Sequence, residues 1–330
     1  VNVTAVNDNS PAFTSASSFT VAENQTAVGS LTTTDADTGT NTVTFTTTGG
    51  ADKDAFTVTG STLAFASAPD YEAQQSYVVV VTASDGSNET TQEITVNLTN
   101  VNDIAPLFTS ADAFSVAEGT DAVATLTGSD AEGDSVSFST TLSGADAADF
   151  TLNSSGALAF AATPNFEAAA DNGADNVYNI TATITDGTNT STQAITVNVT
   201  DVNEAPVITG GDTATANFVE NATGTVIDVA HSDVDAGDSI TYSLSGSVDD
   251  DLFAIVGGTG VVTFISSPDF ETKLGGTGND SNDYVIEVTA TDNGSGLLTD
   301  TQTITITVTD ENDNTPDLTV ATPYSVAEGI

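Results

Sequence analysis

Acidic residues recur in phase along this 330-residue chain, and they are the side chains best suited to chemistry. Each repeat carries a Glu near its start, then two acids separated by one residue. A Glu after Pro-[Asp/Asn]-[Tyr/Phe] follows, and later an Asp that closes a strand. Neither His nor Cys belongs to this set, and hard oxygen donors select calcium over zinc or copper. Magnesium fits less well, because it demands tight octahedral geometry and loses water reluctantly.

The period of this pattern is that of a whole domain. A short linker motif that ends in Pro occurs four times, with its Asn at Asn7, Asn102, Asn203 and Asn312. The steps between these residues are 95, 101 and 109 residues. A period near ~100 residues is too long for a solenoid turn, so we expect tandem domains.

Within each domain the apolar residues alternate with Thr and Asn, as in half-buried strands. Ile94, Val96 and Leu98 show this alternation in the last strand of repeat 1. Seven short strands of this kind in one repeat predict an all-β fold of tandem immunoglobulin-like Greek-key sandwiches. In repeat 1 we predict the strands, labelled A to G in chain order, at 18–23, 27–33, 42–47, 55–59, 62–66, 76–83 and 90–98.

The odd number of strands has a geometric consequence. The chain enters each sandwich at one pole and leaves at the other, so we expect the repeats to be arranged as a rod. The same parity brings the first-strand Glu, the E–F connection and the linker of one repeat to one pole. There they face the B–C and F–G connections of the next repeat. So many carboxylates at one junction would repel one another unless bound cations neutralised them.

The predicted calcium ligands form two complete clusters and two partial ones. The cluster between repeats 1 and 2 carries a formal charge of −7 from Glu23, Asp70, Glu72, Asp103, Asp130, Glu132 and Asp186. The cluster between repeats 2 and 3 also carries −7, from Glu118, Glu167, Asp201, Glu204, Asp233, Asp235 and Asp292. The first repeat adds Asp35, Asp37 and Asp85, and the third adds Glu220, Asp269 and Glu271.

Composition excludes several classes of protein. The chain has 47 acidic and two basic residues, a formal charge of −45, which argues against nucleic acid and anionic membrane surfaces as partners. Disorder is disfavoured, because 38% of the residues are hydrophobic and recur at strand-like spacing. The absence of Cys excludes disulfides and cysteine nucleophiles. No apolar run approaches the ~18 residues of a membrane-spanning helix.

Three motifs carry a family resemblance. Asp310-Glu311-Asn312-Asp313-Asn314 reproduces the D-x-N-D-N linker of the cadherin superfamily, while Thr82-Ala83-Ser84-Asp85-Gly86 and Asp35-Ala36-Asp37 nearly match two further motifs. The whole chain resembles that superfamily, and its composition is similar to that of long bacterial surface adhesins. The resemblance implies three calcium ions at each junction. It also adds Asn100, Asn102, Asn203, Asp310, Asn312 and Asp313 to the predicted ligands.

Departures from the family pattern cluster at the junctions. Asn100 and Asn165 stand where the family has acids, and Glu132 and Glu204 stand where it has Asp. Two of these, Asn165 and Glu204, fall at the junction between repeats 2 and 3, which predicts weaker binding there.

The resemblance implies a domain plan and a function. We expect the last strand of a preceding repeat at 1–9, cadherin-like repeats at 10–104, 105–205 and 206–314, and the first strand of a following repeat at 315–330. The expected function is that of calcium-rigidified extracellular spacer or adhesion repeats in a cell-surface adhesin or filament, without enzymatic activity. The alternative is a calcium-dependent polysaccharide-binding repeat, which should show an exposed aromatic cluster. Calcium ions and neighbouring repeats are the expected partners; other copies of the chain and cell-surface polysaccharide stay open.

Three further features need an interpretation. His231, the only His, has no counterpart in the other repeats and is interpreted as a surface residue rather than a ligand. The inserts 171–176 and 276–283 are each either an extra calcium loop or a mobile loop. The aromatic residues that recur in phase on strands are predicted to be core: Phe56, Phe65, Phe150, Phe160, Phe253 and Phe264.

Overall fold

The structure is a computed structural model that describes residues 6–37, 42–273 and 282–317. The regular elements within these ranges are 27 β-strands and three single-turn 3₁₀ helices, which confirms the all-β prediction. The chain divides into two compact units. Unit 1 comprises the residues up to Phe114 together with Asp121–Ala162 and Val177–Asn198. Unit 2 comprises Ser115–Thr120, Thr163–Asn176 and the residues from Val199 onward.

Repeat 1 contains nine strands instead of the predicted seven, because a short strand precedes the first predicted one and the strand predicted at 27–33 is divided in two. The additional first strand, β1, pairs with β4, whereas β2 pairs in parallel with β9, so this part of the chain contributes to two sheets. The strands are β1 Ala12–Phe13, β2 Ser18–Ala22, β3 Ala27–Ser30, β4 Thr33–Thr34, β5 Thr44–Gly49, β6 Phe56–Thr59, β7 Thr62–Phe65, β8 Ser76–Ser84 and β9 Glu89–Thr99.

Repeats 2 and 3 follow the same plan. In repeat 2 the strands are β10 Leu107–Phe108, β11 Ala113–Ala117, β12 Ala122–Thr125, β13 Gly128–Ser129, β14 Ser137–Phe138, β15 Phe150–Leu152, β16 Ala157–Phe160, β17 Val177–Thr185 and β18 Thr190–Thr200. In repeat 3 they are β19 Val207–Ile208, β20 Thr213–Val219, β21 Thr225–Asp228, β22 His231–Ser232, β23 Thr241–Leu244, β24 Phe253–Ile255, β25 Val261–Phe264, β26 Asp283–Thr291 and β27 Thr299–Thr309. The 3₁₀ helices η1 Lys53–Ala55, η2 Ala147–Asp149 and η3 Asp250–Leu252 precede β6, β15 and β24.

Each repeat is a sandwich of a four-stranded and a three-stranded sheet with a small third pairing. In repeat 1 the orders are β2-β9-β8-β5, β3-β7-β6 and β1-β4. The equivalent strands of repeats 2 and 3 pair in the same order. Neighbours that are far apart in sequence, such as β2 and β9, are the mark of a Greek-key sandwich.

The alternating residues of the long strands form the core. Val79, Val81, Ile94 and Val96 are fully buried on β8 and β9. Phe56 and Phe65 stack with ring centroids 4.6 Å apart, and the equivalent pairs in the other repeats lie 4.4 and 4.2 Å apart. All six in-phase aromatic residues therefore pack in the core, as predicted.

Only part of each strand predicted at the two ends of the chain lies within the described residues. Residues 6–9 and 315–317 have no regular structure. The remainder of the strands predicted at 1–9 and 315–330 lies outside the described residues, as does most of the insert at 276–283.

Candidate metal centres

A buried glutamate at the end of the first strand organises the acidic pole of each repeat. Glu23 is 2% exposed, and its two carboxylate oxygens accept the backbone N–H groups of Tyr71, at 2.6 Å, and Val101, at 2.8 Å. One side chain therefore holds both the E–F loop and the linker. Glu118 bonds Phe166 and Val202 in the same way, and Glu220 bonds Phe270 and Glu311.

The acid two residues before the E–F Glu shapes its loop. Asp70 Oδ1 accepts the N–H groups of Glu72 and Ala73 at 2.9 and 3.1 Å. Asp269 does the same in repeat 3. Asn165 Oδ1 accepts the N–H of Ala168 at 2.6 Å, so the amide in repeat 2 still shapes its loop.

The second acid of each B–C pair fastens the preceding linker. Glu132 Oε2 accepts the N–H groups of Asp103 and Ile104 at 3.0 and 2.8 Å. Asp235 Oδ2 accepts the N–H of Glu204 at 2.7 Å. Asp37 likewise binds Asp8 and Asn9, and in all three repeats the first acid of the pair, Asp35, Asp130 or Asp233, accepts the N–H of the second.

The F–G Asp and the linker Asn meet at the same pole. Asn189 donates its side-chain N–H both to Asp186 Oδ2, at 3.4 Å, and to Asn102 Oδ1, at 2.7 Å. In repeat 3, Asn203 donates directly to Asp292 Oδ2 at 2.9 Å. In repeat 1, Asp85 is tied to Asn7 through Asn88.

Among the described residues, two groups of four carboxylates bring predicted ligands together. Within each group, one ligand oxygen from each residue lies within 4.8 Å of the others. Group 1, in unit 1, consists of Glu23, Glu72, Asp103 and Glu132. Group 2, in unit 2, consists of Glu118, Glu167, Asp201 and Glu204. Smaller groups of three are Asp130, Glu132 and Asp134, and Glu220, Asp269 and Glu271.

Repulsion and burial raise several pKa values in the groups. Burial, then the charges of Glu118 and Asp235, raise the pKa of Glu204 to about 7. Burial is also the main cause of the raised pKa values of Glu72 and Glu167, with neighbouring carboxylates adding to it. The pKa of Asp186 is lowered instead, because N–H groups of Asn189 and Thr188 outweigh its burial.

Buried carboxylate oxygens without a hydrogen-bond donor show that the donor set fits a cation. Each such oxygen is costly to bury, and a bound cation would satisfy it. In the part of the chain that the structure describes, they are Asp35 Oδ2, Asp130 Oδ2, Glu132 Oε1, Glu204 Oε2, Asp233 Oδ2, Asp235 Oδ1 and Asp238 Oδ2. All are hard oxygen donors of the kind that calcium prefers.

Other predicted ligands lie outside these groups. One of them, Asp313, accepts a side-chain N–H of Asn221 at 2.7 Å, and Asn24 donates equivalently to Asp103 of group 1. Asn100, Asp310 and Asn312 are exposed.

Sequence reasoning missed two kinds of acid. Asp134 and Asp238 follow the acidic pair of the B–C connection. Their position, four or five residues after the first acid of the pair, was the sequence signal that could have identified them. Asp52, Asp146 and Asp249 also recur in phase but have another role. Each accepts a backbone N–H of strand β8, β17 or β26, from Val78, Asn179 or Val285, at 2.7, 2.6 and 2.8 Å.

His231 is exposed, as predicted, and its structural role is now visible. Its Nδ1 lies 2.7 Å from the hydroxyl of Tyr242, which is 5% exposed. Strand register places Tyr242 where repeats 1 and 2 have Phe45 and Phe138. His231 therefore provides a partner for the one hydroxyl that repeat 3 adds at this core position.

The insert at 171–176 folds around one acid. Asp171 is 6% exposed, and its carboxylate accepts the N–H groups of Gly173, Asp175 and Asn176 at 2.8 to 3.1 Å. Burial opposes ionisation, but these bonds outweigh it and lower the pKa of Asp171. Both carboxylate oxygens of Asp171 thus accept hydrogen bonds from N–H groups of the loop itself.

Comparison with known proteins identifies the family. A sequence model of the Cadherin domain matches residues 17–99 and 214–309, which together make up more than half of the chain. This chain belongs to the cadherin family. The middle repeat differs, because residues 102–200 match a model described as a bacterial Ig domain.

Cadherin relatives agree with this assignment. Human Protocadherin Fat 1 is 30% identical over 262 residues, covering 75% of this chain and 5% of its own length. Mouse Cadherin EGF LAG seven-pass G-type receptor 2 is 30% identical over 234 residues, covering 68% of this chain and 8% of its own length. The chain therefore spans less than a tenth of either relative.

Solved cadherin structures share the fold. Extracellular cadherin domains 1–5 of Protocadherin Gamma B2 superpose with a TM-score of 0.60 at 24% identity, covering 94% of this chain and 62% of that one. Mouse Cadherin-23 EC22-24 gives 0.57 at 22% identity, covering 92% of this chain and all of that one. Cadherin-type extracellular repeats are adhesion-related modules, and this chain consists of such repeats. Within the described residues, no helix is long and apolar enough to cross a membrane.

Proposed function

We propose that this cadherin chain is a set of calcium-rigidified extracellular spacer or adhesion repeats of a cell-surface adhesin or filament. The observation that carries the proposal is the pair of four-carboxylate groups at the two linkers, with buried oxygens that lack donors. The proposed repeats are 10–104, 105–205 and 206–314. The proposed ligands are the acidic and Asn residues predicted above, together with Asp134 and Asp238.

Different residues would have different roles at such a junction between repeats. Glu23 and Glu118 hold the E–F loop and the linker in place through backbone N–H groups. Glu132 and Asp235 fasten the linker from the following repeat. Bound calcium would supply positive charge that offsets the mutual repulsion of the carboxylates. Each repeat keeps its own apolar core, so removal of calcium should loosen the linkers before it unfolds the sandwiches.

The proposal does not include a polysaccharide site. Such a site would use exposed aromatic faces, whereas every Phe and Tyr that the structure describes is buried or half-buried. No observation therefore favours that alternative.

Isothermal titration of the chelator-treated chain with calcium tests the proposal. Saturable binding of several calcium ions is expected at roughly 10⁻⁴–10⁻³ M, the range of extracellular calcium modules. Titration with magnesium is the matched control and should give weaker binding. A chain that binds no calcium at millimolar concentrations would overturn the proposal.

A further inference from the structure

Asn or Asp followed by Gly is a pair of residues at which a chain can react with itself. The backbone nitrogen of Gly attacks the side-chain carbonyl carbon of the preceding residue, because Gly has no Cβ to hinder the approach. A C–N bond forms and closes a succinimide ring, while the side chain releases ammonia from Asn or water from Asp, which takes the proton of the Gly nitrogen. Water then opens the ring to give aspartate or isoaspartate.

The sequence contains four such pairs, and the structure describes all of them. They are Asp85-Gly86, Asn172-Gly173, Asp186-Gly187 and Asn293-Gly294. In each pair the Gly N–H donates to a side-chain oxygen of the residue two positions before it. The acceptors are Ser84 Oγ at 3.3 Å, Asp171 Oδ2 at 2.8 Å, Thr185 Oγ1 at 3.0 Å and Asp292 Oδ1 at 3.1 Å. The nitrogen that would attack is therefore hydrogen-bonded at every pair.

The fold requires Gly at three of these positions. Gly86 and Gly187 have φ values of 96° and 101°, which side chains with a Cβ rarely adopt. A Cβ at Gly294 would overlap the side chain of Asn203. Replacement of Gly would thus disturb the fold, so protection of these pairs must come from the surroundings of the reacting nitrogen.

The pair in the insert at 171–176 has the strongest acceptor. The buried carboxylate of Asp171 binds the N–H groups of Gly173, Asp175 and Asn176, which hold the loop around it. A negative charge 2.8 Å from the Gly173 nitrogen disfavours loss of its proton, because the nitrogen anion would face a like charge. Attack on Asn172 requires that proton to leave. The hydrogen bond and the charge therefore both oppose the reaction.

We propose that the residue before each Asn-Gly or Asp-Gly pair protects the pair from succinimide formation by accepting the Gly N–H. Asp171 is then the protecting residue of the insert, which the sequence left open as an extra calcium loop or a mobile loop. This role goes beyond the proposed function and does not depend on calcium.

Deamidation of Asn172 in the full chain tests the proposal. The chain is kept at neutral pH in chelator, and pepsin digestion with mass spectrometry follows the exchange of the side-chain nitrogen for oxygen. We expect Asp171→Ala to raise the rate at Asn172 by about tenfold or more, the effect of losing one hydrogen bond to a charged group. The rate at Asn293 in the same sample is the internal reference and should not change.

Two controls separate this hydrogen bond from other effects. Asn176→Ala removes the bond from the Asn176 side chain to the Phe166 carbonyl at 2.8 Å, so it loosens the loop while Asp171 keeps the Gly173 N–H. We expect it to change the Asn172 rate by less than about threefold. In urea, where the folded loop is absent, the parent chain and Asp171→Ala should react at the same rate.

The hydroxyl acceptors give an independent arm. Thr185→Val keeps the shape of the side chain and removes the acceptor of Gly187, so isoaspartate at Asp186 should form about threefold faster or more. Asp85, whose Ser84 is unchanged, is the reference.

Three results would overturn the proposal. The first is a rate at Asn172 that is unchanged or lower in Asp171→Ala; a lower rate would mean that the carboxylate helps to remove the Gly173 proton. The second is equal acceleration by Asn176→Ala, which would assign protection to the loop as a whole. The third is a difference between the chains that persists in urea, which would assign it to the local sequence.

Discussion

Glu132 accepts the backbone N–H of Asp103 at 3.0 Å, so a loop of repeat 2 fastens the linker that leaves repeat 1. The bond uses Oε2 and leaves Oε1 buried without a donor. One side chain therefore fixes the linker and, in the proposed calcium site, would present an oxygen to the ion. Under that proposal, charge neutralisation and linker geometry are coupled at the same residue.

Replacement of Asp103 by Ala should weaken calcium binding at group 1 by about tenfold or more, because it removes one of the four carboxylates of that group. It also removes the acceptor of the Asn24 side chain. Isothermal titration measures the affinity. The matched control is Asp112→Ala, an exposed acid outside the groups, which should leave binding unchanged. Equal affinities of the two variants would contradict the role of Asp103.

The raised pKa of Glu204 should make the free energy of unfolding of the calcium-free chain depend on pH. Its pKa rises from 4.5 to about 7 in the folded state, so the folded chain keeps a proton that the unfolded chain has lost between these values. In chelator, the free energy of unfolding should therefore fall as pH rises from about 4.5 to 7. Urea unfolding measured across this window checks the sign. Glu204→Gln should flatten the dependence, and Glu93→Gln, an exposed acid on β9, should not. A slope that is the same in all three chains would contradict the assignment.

Replacement of Asp146 should lower the stability of the fold without changing calcium binding. Its buried carboxylate accepts the N–H of Asn179 at 2.6 Å, and Ala would leave that donor without this partner. We expect Asp146→Ala to lower the free energy of unfolding by about 1–3 kcal/mol, equally in calcium and in chelator. Asp146→Asn keeps an acceptor oxygen and should cost less. A loss confined to calcium-containing buffer would instead place Asp146 among the metal ligands.

His231 and Tyr242 should be energetically coupled. His231→Thr alone removes the partner of a nearly buried hydroxyl and should cost about 1 kcal/mol or more. Tyr242→Phe removes the hydroxyl itself, so the double variant, which restores the pair found in repeat 1 as Thr33 and Phe45, should recover most of that loss. Denaturant unfolding of the four chains gives the coupling energy. Strictly additive effects would contradict this account of the histidine.

Periodicity was enough to predict the sandwich, because alternation along strands such as β9 reports directly which residues are buried. Strand parity was likewise enough to bring Glu23 beside the E–F loop and the linker. It could not predict which acids bring ligand oxygens within 4.8 Å of one another, such as Asp134 with Asp130 and Glu132, because that depends on the conformations of the side chains. Nor could it separate Asp146 from the proposed metal ligands, since a buried acceptor of an N–H group and a ligand have the same residue type.

The most direct test of calcium-dependent stiffness is one sample measured in calcium and in chelator for melting temperature and hydrodynamic radius. We predict that the melting temperature climbs with calcium, since binding to the folded state adds RT ln(1 + [L]/Kd) per site. We also predict that chelator lowers the hydrodynamic radius while the β-sheet circular dichroism persists, because looser linkers shorten the mean end-to-end distance of intact sandwiches. An unchanged melting temperature together with an unchanged radius would contradict the account.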